Sequence, residues 1–174
     1  VGQAMQTIDA IEQFNPYFIE APLPADNIEG YRRLYESTNV RIAAGDWGFS
    51  TRHEFADLLR RGRLGVVQPS AVRAGGIHEI QNIAEDAYGF GALCIPHTWC
   101  HVVGVAAELH IAAVTPNMPY FEFPIAFPAT PLVENLLLPN FEIAEDGTME
   151  VPDRPGLGFE LNEDVISEFR VDPY

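Results

Sequence analysis

The chain has 174 residues, a formal net charge of -15 at pH 7 and ten basic residues, all of them arginine. A surface this acidic repels nucleic acid and anionic lipid, so neither is an expected partner. The two cysteines, and the lack of an apolar run long enough to cross a membrane, favour a cytoplasmic protein. The absence of lysine is typical of salt-loving organisms, although an arginine-biased genome explains it equally well.

Apolar residues at helical spacing predict five helices in the first two thirds of the chain. They cover Val1–Phe14, Asn27–Glu36, a segment bearing Phe55, Leu58 and Leu59, Ile77–Tyr88 and Val102–Val114. Asp26 or Asn27 can cap the second helix, and Ser50 or Thr51 can cap the third. Gly62 is expected to end the third helix as its C-cap.

Five short apolar runs lie between and after these helices, and each ends at a polar residue. The five residues are Glu20, Asp46, Ser70, His97 and Glu122, spaced 24 to 27 residues apart. That interval is what one strand and one helix of a parallel β/α repeat require. We therefore expect five parallel strands. Their closing polar side chains should line one rim, at the carboxyl edge where such folds hold their active sites.

Six segments that span nearly the whole chain resemble one known family. They read FIEAPLPADN, AAGDWGFSTRHEF, VVQPSAVRAGGIHEI, IPHTW, YFEFP and VPDRPGLGFEL. In this order and spacing they resemble the C-terminal part of the enolase superfamily, in its mandelate racemase and acid-sugar dehydratase branch. The resemblance implies an α/β fold, a partial (β/α) barrel that corresponds to strands four to eight.

The resemblance also implies a division of the chain. Residues 1–130 would form the barrel portion with five β/α units. Residues 131–174 would form a C-terminal extension that packs on a cap domain outside this chain. Within the extension, the alternating pattern of Phe141–Val151 predicts a hairpin that turns at Asp146-Gly147, and a short final helix follows.

Site residues carry over from the family position by position. Glu20 and Asp46 match two of the family's Mg²⁺ ligands, and carboxylate oxygens suit that hard cation. His97 matches the imidazole that acts as general base or acid, and an imidazole's ordinary pKa suits that role. Ser70 stands where many relatives carry an aspartate partner of this histidine, so His97 acts as a weaker base, as an acid or only as a hydrogen-bond donor. Glu122 matches an acid that, when protonated, donates a hydrogen bond to the substrate carboxylate.

The implied reaction is removal of the proton next to a substrate carboxylate, with Mg²⁺ stabilising the product anion. Dehydration of a sugar acid or hydroxy acid is expected first, because racemisation needs bases on both faces. The alternatives are a racemase or epimerase, and a non-catalytic fragment or relative that binds a carboxylate or a partner subunit. The family's first metal ligand and its lysine bases would lie upstream of Val1. We therefore expect this chain alone to be inactive. It would need the upstream part of the protein or another subunit to complete the barrel. The complete protein is also expected to be a homo-oligomer.

A zinc site offers a different interpretation of one segment. Cys94, His97, Cys100 and His101 form a compact C-x2-H-x2-C-H set. Structural zinc sites usually pair ligands from two separated knuckles, whereas this set crosses from a strand end into a helix. Packing of Cys94 as a small core residue is the favoured explanation.

Overall fold

The computed structural model describes residues 1–124 and 131–171. Its main sheet has four parallel strands in the order β1-β2-β3-β4. They are β1 (Phe18–Glu20), β2 (Arg41–Ala44), β3 (Val66–Val67) and β4 (Leu93–Cys94). Each strand pairs with its neighbour in sequence. The winding therefore runs in one direction, as in a segment of a β/α barrel.

A helix precedes or follows each strand, close to the predicted bounds. The helices are α1 (Gly2–Ile11), α2 (Ile28–Ser37), α3 (Arg52–Asp57), α4 (Ile77–Gly89) and α5 (Val102–Val114). Asn27 caps α2 by accepting from the Gly30 amide, and Thr51 caps α3 in a reciprocal pair with Glu54. The predicted C-cap at Gly62 is wrong, because a π-helical turn, Leu58–Gly62, extends α3 and Arg63 takes the left-handed conformation. Within the described residues, no helix has the length and apolar character needed to cross a membrane.

The two faces of the sheet carry different side chains, as alternation along a strand requires. One face joins the large core against the helices and includes Ile19, Ile42, Ala44, Val67 and Cys94. The opposite face forms a small cluster of Ala43, Val66 and Ile95, with Phe18 and Leu93 packed against it. Glu20 lies two residues beyond Phe18, so its side chain projects on the face opposite the helices.

The fifth predicted strand is absent from the described part of the sheet. Residues 119–124 form no regular secondary structure, and β4 is the last strand of the order. A bond from the Cys94 amide to the Asn117 carbonyl, at 3.0 Å, continues beside β4. The apolar run before Glu122 thus has strand composition without strand pairing.

The described part of the extension packs on α5. It contains a short helix, α6 (Pro131–Glu134), an antiparallel pair of β5 (Leu137–Leu138) with β6 (Glu160–Leu161), and a final helix, α7 (Glu163–Phe169). Val102, Ala106 and Leu137 form an apolar cluster between α5 and the extension. Around Asp146-Gly147, a single antiparallel bridge joins Ile143 to Met149. The expected contact with a cap domain stays a prediction.

Candidate active site

The polar residues predicted for the rim lie at one edge of the sheet. Glu20 ends β1, whereas Asp46, Ser70 and His97 lie in the loops two or three residues after β2, β3 and β4. Parallel strands bring these loops to the same edge. Asp46, Ser70 and His97 are buried, and Glu20 is exposed. Only Glu20 is therefore within a strand, and the other side chains depend on loop conformation.

Glu20 contacts a residue that the sequence did not single out. Gln68, directly after β3, donates from Nε2 to Oε2 of Glu20 at 2.7 Å. Gln68 is 1% exposed, and its own Oε1 is buried without a hydrogen-bond partner among the described residues. The side-chain amide of the residue after β3 thus reaches across β2 to the carboxylate at the end of β1, and its own oxygen stays without a hydrogen-bond partner among the described residues.

A stacked arrangement connects the loop of Asp46 to His97. Arg73 donates from Nη1 to the Asp46 carbonyl at 2.5 Å, and its guanidinium lies 4.5 Å from the Trp47 ring centroid. The Trp47 ring also contacts the His97 imidazole, edge to face, at a centroid distance of 5.9 Å. His97 is 5% exposed. The histidine is therefore held in a mostly buried position with an aromatic ring beside it.

Glu122 reaches this edge without a strand. Its Oε2 accepts from the Thr98 amide and its Oε1 accepts from Nε1 of Trp99, both at 2.9 Å. Its backbone carbonyl also accepts from the Thr98 hydroxyl. The side chain thereby fixes the two residues that follow His97, and N–H donors occupy both carboxylate oxygens.

Ser70 does not use its hydroxyl proton on the imidazole. It donates from Oγ to Oε1 of Glu108 on α5, at 3.1 Å. The amide of Ala71 donates to the same oxygen, at 2.5 Å. Because a serine hydroxyl has one proton, Ser70 cannot donate to His97 in this arrangement. From the sequence, a hydrogen bond from Ser70 to His97 was possible. In the structure the Ser70 hydroxyl donates to the buried Glu108 instead.

Glu108 is the most strongly perturbed acid near the site. It has no exposed surface, and its Oε2 has no hydrogen-bond partner in the described parts of the chain. Burial raises the pKa of Glu108 from its ordinary value of 4.5 to about 7, against the opposing effect of the bonds from Ala71 and Ser70. Nearby Glu122 adds a smaller upward contribution. Near neutral pH, Glu108 therefore populates both protonation states.

The zinc interpretation finds no support. Nδ1 of His101 accepts from the Gly104 amide and caps α5. Cys94 is fully buried, and that burial raises the pKa of its thiol above the ordinary range. Across residues 1–124 and 131–171, no three His, Cys, Asp or Glu side chains form a group that could hold a metal ion.

The donor set of the edge nevertheless fits part of a magnesium shell. Glu20 and Asp46 supply carboxylates, and the unsatisfied Oε1 of Gln68 supplies a third hard oxygen. Mg²⁺ prefers six oxygen ligands in octahedral geometry. These groups would hold such an ion only in part, as expected if further ligands come from outside this chain.

Glu108 and Gln68 were both missed at the level of sequence, and only Glu108 left a signal. Glu108 is the only charged residue in VVGVAAELHIAAV, the sequence of α5. A lone carboxylate in an otherwise apolar helix has to be buried or to face a polar partner. Gln68 left no comparable signal, because its position next to β3 is compatible with ordinary exposure.

Comparison with known proteins matches most of the chain to one family. The family model described as "Enolase C-terminal domain-like" matches residues 1–165. A D-galactonate dehydratase from Xanthomonas campestris pv. campestris (strain B100) is 34% identical over 166 residues, which cover 94% of this chain and 43% of that protein. A D-gluconate dehydratase from Thermoproteus tenax is 32% identical over 170 residues, 98% of this chain and 34% of that protein.

A solved structure gives the same correspondence. The mandelate racemase/muconate lactonizing enzyme from Jannaschia sp. CCS1 superposes with a TM-score of 0.85 and 33% identity. The match covers 98% of this chain and 42% of that one. The chain thus spans less than half the length of the relatives it matches.

Proposed function

Because this chain belongs to the enolase C-terminal domain-like family, we propose that the complete protein is a Mg²⁺-dependent dehydratase of a sugar acid or hydroxy acid. Its curated relatives include dehydratases of D-galactonate and D-gluconate. The observation that carries the proposal is the buried His97, which lies at the same sheet edge as the carboxylates of Glu20 and Asp46. The chain by itself is proposed to be inactive.

Glu20 and Asp46 would hold the metal; Gln68 would orient Glu20 through its Nε2 and offer its Oε1 as a third oxygen. Bound Mg²⁺ supplies positive charge that makes the proton next to a carboxylate easier to remove. Gln68 donates to Oε2 of Glu20, so Oε1 of Glu20 takes no part in that hydrogen bond. Groups that orient a metal ligand in this way typically change metal affinity by roughly 10- to 100-fold when removed.

His97 would move the proton that completes the elimination. Loss of the α-proton and of the β-hydroxyl as water turns a sugar acid into an enol, which rearranges to a 2-keto acid. An imidazole beside the substrate can protonate the leaving hydroxyl or accept the α-proton. Elimination needs one base and one acid. Racemisation, the second candidate, needs a base on each face, and the partner position of His97 carries a neutral serine.

The contacts of Glu122 support a holding role at the rim. Both of its carboxylate oxygens accept from N–H groups of Thr98 and Trp99. A hydrogen bond from a protonated Glu122 to substrate would require one of these bonds to be exchanged. We therefore assign Glu122 to keep the segment after His97 in place, with substrate contact as a secondary role.

The decisive experiment uses the full-length protein that carries this chain. D-galactonate, D-gluconate and related acid sugars are incubated with Mg²⁺, and formation of a 2-keto acid is followed. His97→Ala should abolish turnover, and Glu20→Gln should remove both turnover and metal dependence. His53→Ala, at an exposed position of α3, is the matched control and should retain activity. Full turnover by His97→Ala on every substrate accepted by the wild type would refute the assignment of His97.

The experiment also separates the remaining alternatives. A product that keeps the hydroxyl groups but inverts the α-carbon would identify a racemase or epimerase. Binding of a carboxylate without conversion by the full-length wild type would identify a non-catalytic relative.

A further inference from the structure

The turn that follows β3 lies between the buried interior and the candidate site. Bonds from the amides of Arg73 and Ala74 to the Ser70 carbonyl close the turn, at 3.0 and 2.8 Å. On its inner side, the Ser70 hydroxyl and the Ala71 amide both donate to Glu108. The carboxylate of Glu108 therefore anchors the first two residues of this turn to α5.

On its outer side, the same turn contacts the site in two ways. The Pro69 carbonyl, directly before the turn, accepts from the His97 amide at 3.0 Å. Arg73 reaches over the edge, bonds the Asp46 carbonyl and stacks on Trp47, whose ring contacts His97. A displacement of the turn would thus move the histidine through its backbone and through its aromatic neighbour.

We propose that Glu108 is a positioning residue of this active site: it holds the Ser70–Ala74 turn and, through that turn, sets the placement of His97 and Arg73. The catalytic part of this inference rests on the proposed function. The contact part stands on the geometry of α5 and the turn.

The charge of Glu108 should matter for this role. A carboxylate accepts hydrogen bonds more strongly than a neutral carboxyl or amide does. The titratable groups that influence Glu108, or are influenced by it, are Glu122 and the thiols of Cys94 and Cys100. All three are neutral or negative, so the two donated bonds from the turn are the principal support for the ionised form.

Glu108→Gln is the sharpest substitution, because the amide keeps the shape and an acceptor oxygen but cannot ionise. In the full-length enzyme we expect kcat to fall roughly 10- to 100-fold, the usual effect of a small misplacement of a catalytic group, while KM changes little. Ser70→Ala should lower kcat less, and the double variant should be no worse than Glu108→Gln alone, because both residues act through one turn. The control is Glu85→Gln, an exposed acid on α4, which should match the wild type.

Wild-type kcat for Glu108→Gln would overturn the proposal. So would losses that multiply in the double variant, since independent structural damage is additive in free energy. The wild type, the two single variants at Ser70 and Glu108 and the double variant are also compared by urea unfolding. Absent turnover in the wild type would refute the proposed function and the catalytic part of this inference. Coupling between Ser70 and Glu108 in unfolding free energy would then still decide whether the contact exists.

Discussion

The ionisation of Glu108 should make folding stability depend on pH in a direction opposite to that of most carboxylates. Its pKa is raised from 4.5 to about 7, with burial as the largest cause. The folded protein therefore holds this proton more tightly than the unfolded chain does. The corresponding stabilisation is fully present below about pH 4.5 and is lost as the pH rises through about 7.

The size of the effect follows from the shift. One pKa unit corresponds to about 1.4 kcal/mol, so a shift of this extent amounts to about 3 kcal/mol. Because Glu108 has no exposed surface, solvent screening does not reduce this figure as it would at the surface. Glu108→Gln carries no titrating proton. The difference in unfolding free energy between variant and wild type should therefore change by about 3 kcal/mol between about pH 4 and about pH 8, in favour of the variant at the higher pH.

Urea unfolding of the full-length protein at a series of pH values, followed by tryptophan fluorescence, measures this difference. Other titrating groups are common to both proteins and cancel in the comparison. Metal ions are removed beforehand, because a bound ion would add its own pH dependence. Glu85→Gln should run parallel to the wild type. A constant difference between Glu108→Gln and the wild type across the whole range would refute the reasoning about Glu108.

Three further predictions follow from the same contacts. Gln68→Met should weaken Mg²⁺ binding by roughly 10- to 100-fold in calorimetric titration of the full-length protein; unchanged affinity would show that Gln68 does not orient Glu20. Ser70→Asp would place a second carboxylate against Glu108 and should cost about 2 kcal/mol at pH 8 in urea unfolding, and adding Glu108→Gln should recover most of that loss. Gly45→Ala should destabilise the protein by about 2 kcal/mol, because Gly45 has φ of +113° and an added Cβ would meet the Phe55 ring. Gly89→Ala, where nothing lies within 4 Å of the added atom, should be neutral or stabilising, and equal effects in the two glycine variants would contradict the explanation.

The sequence alone predicted the repeating architecture, because strand and helix formation depend on local patterns. The regular spacing of Glu20, Asp46, Ser70 and His97 placed four strands and their common edge correctly. Capping chemistry identified Thr51 as one of two candidates, and Glu54 completes its capping box. A capping side-chain oxygen accepts a hydrogen bond from a backbone amide only two or three residues further along the chain. The start of a helix can therefore be predicted from local sequence.

Where a pattern needed a distant partner, the sequence was insufficient. The apolar run before Glu122 has the composition of a strand, but a strand forms only through hydrogen bonds to a neighbouring strand. In the described structure this run pairs with none. Ser70 was expected beside His97, yet it donates to Glu108, 38 residues away in the chain. The helical period of α5 is apolar nearly all round, so it does not specify which face meets the turn after β3. Only tertiary packing decided that the buried carboxylate of Glu108 would contact the turn beside the candidate site.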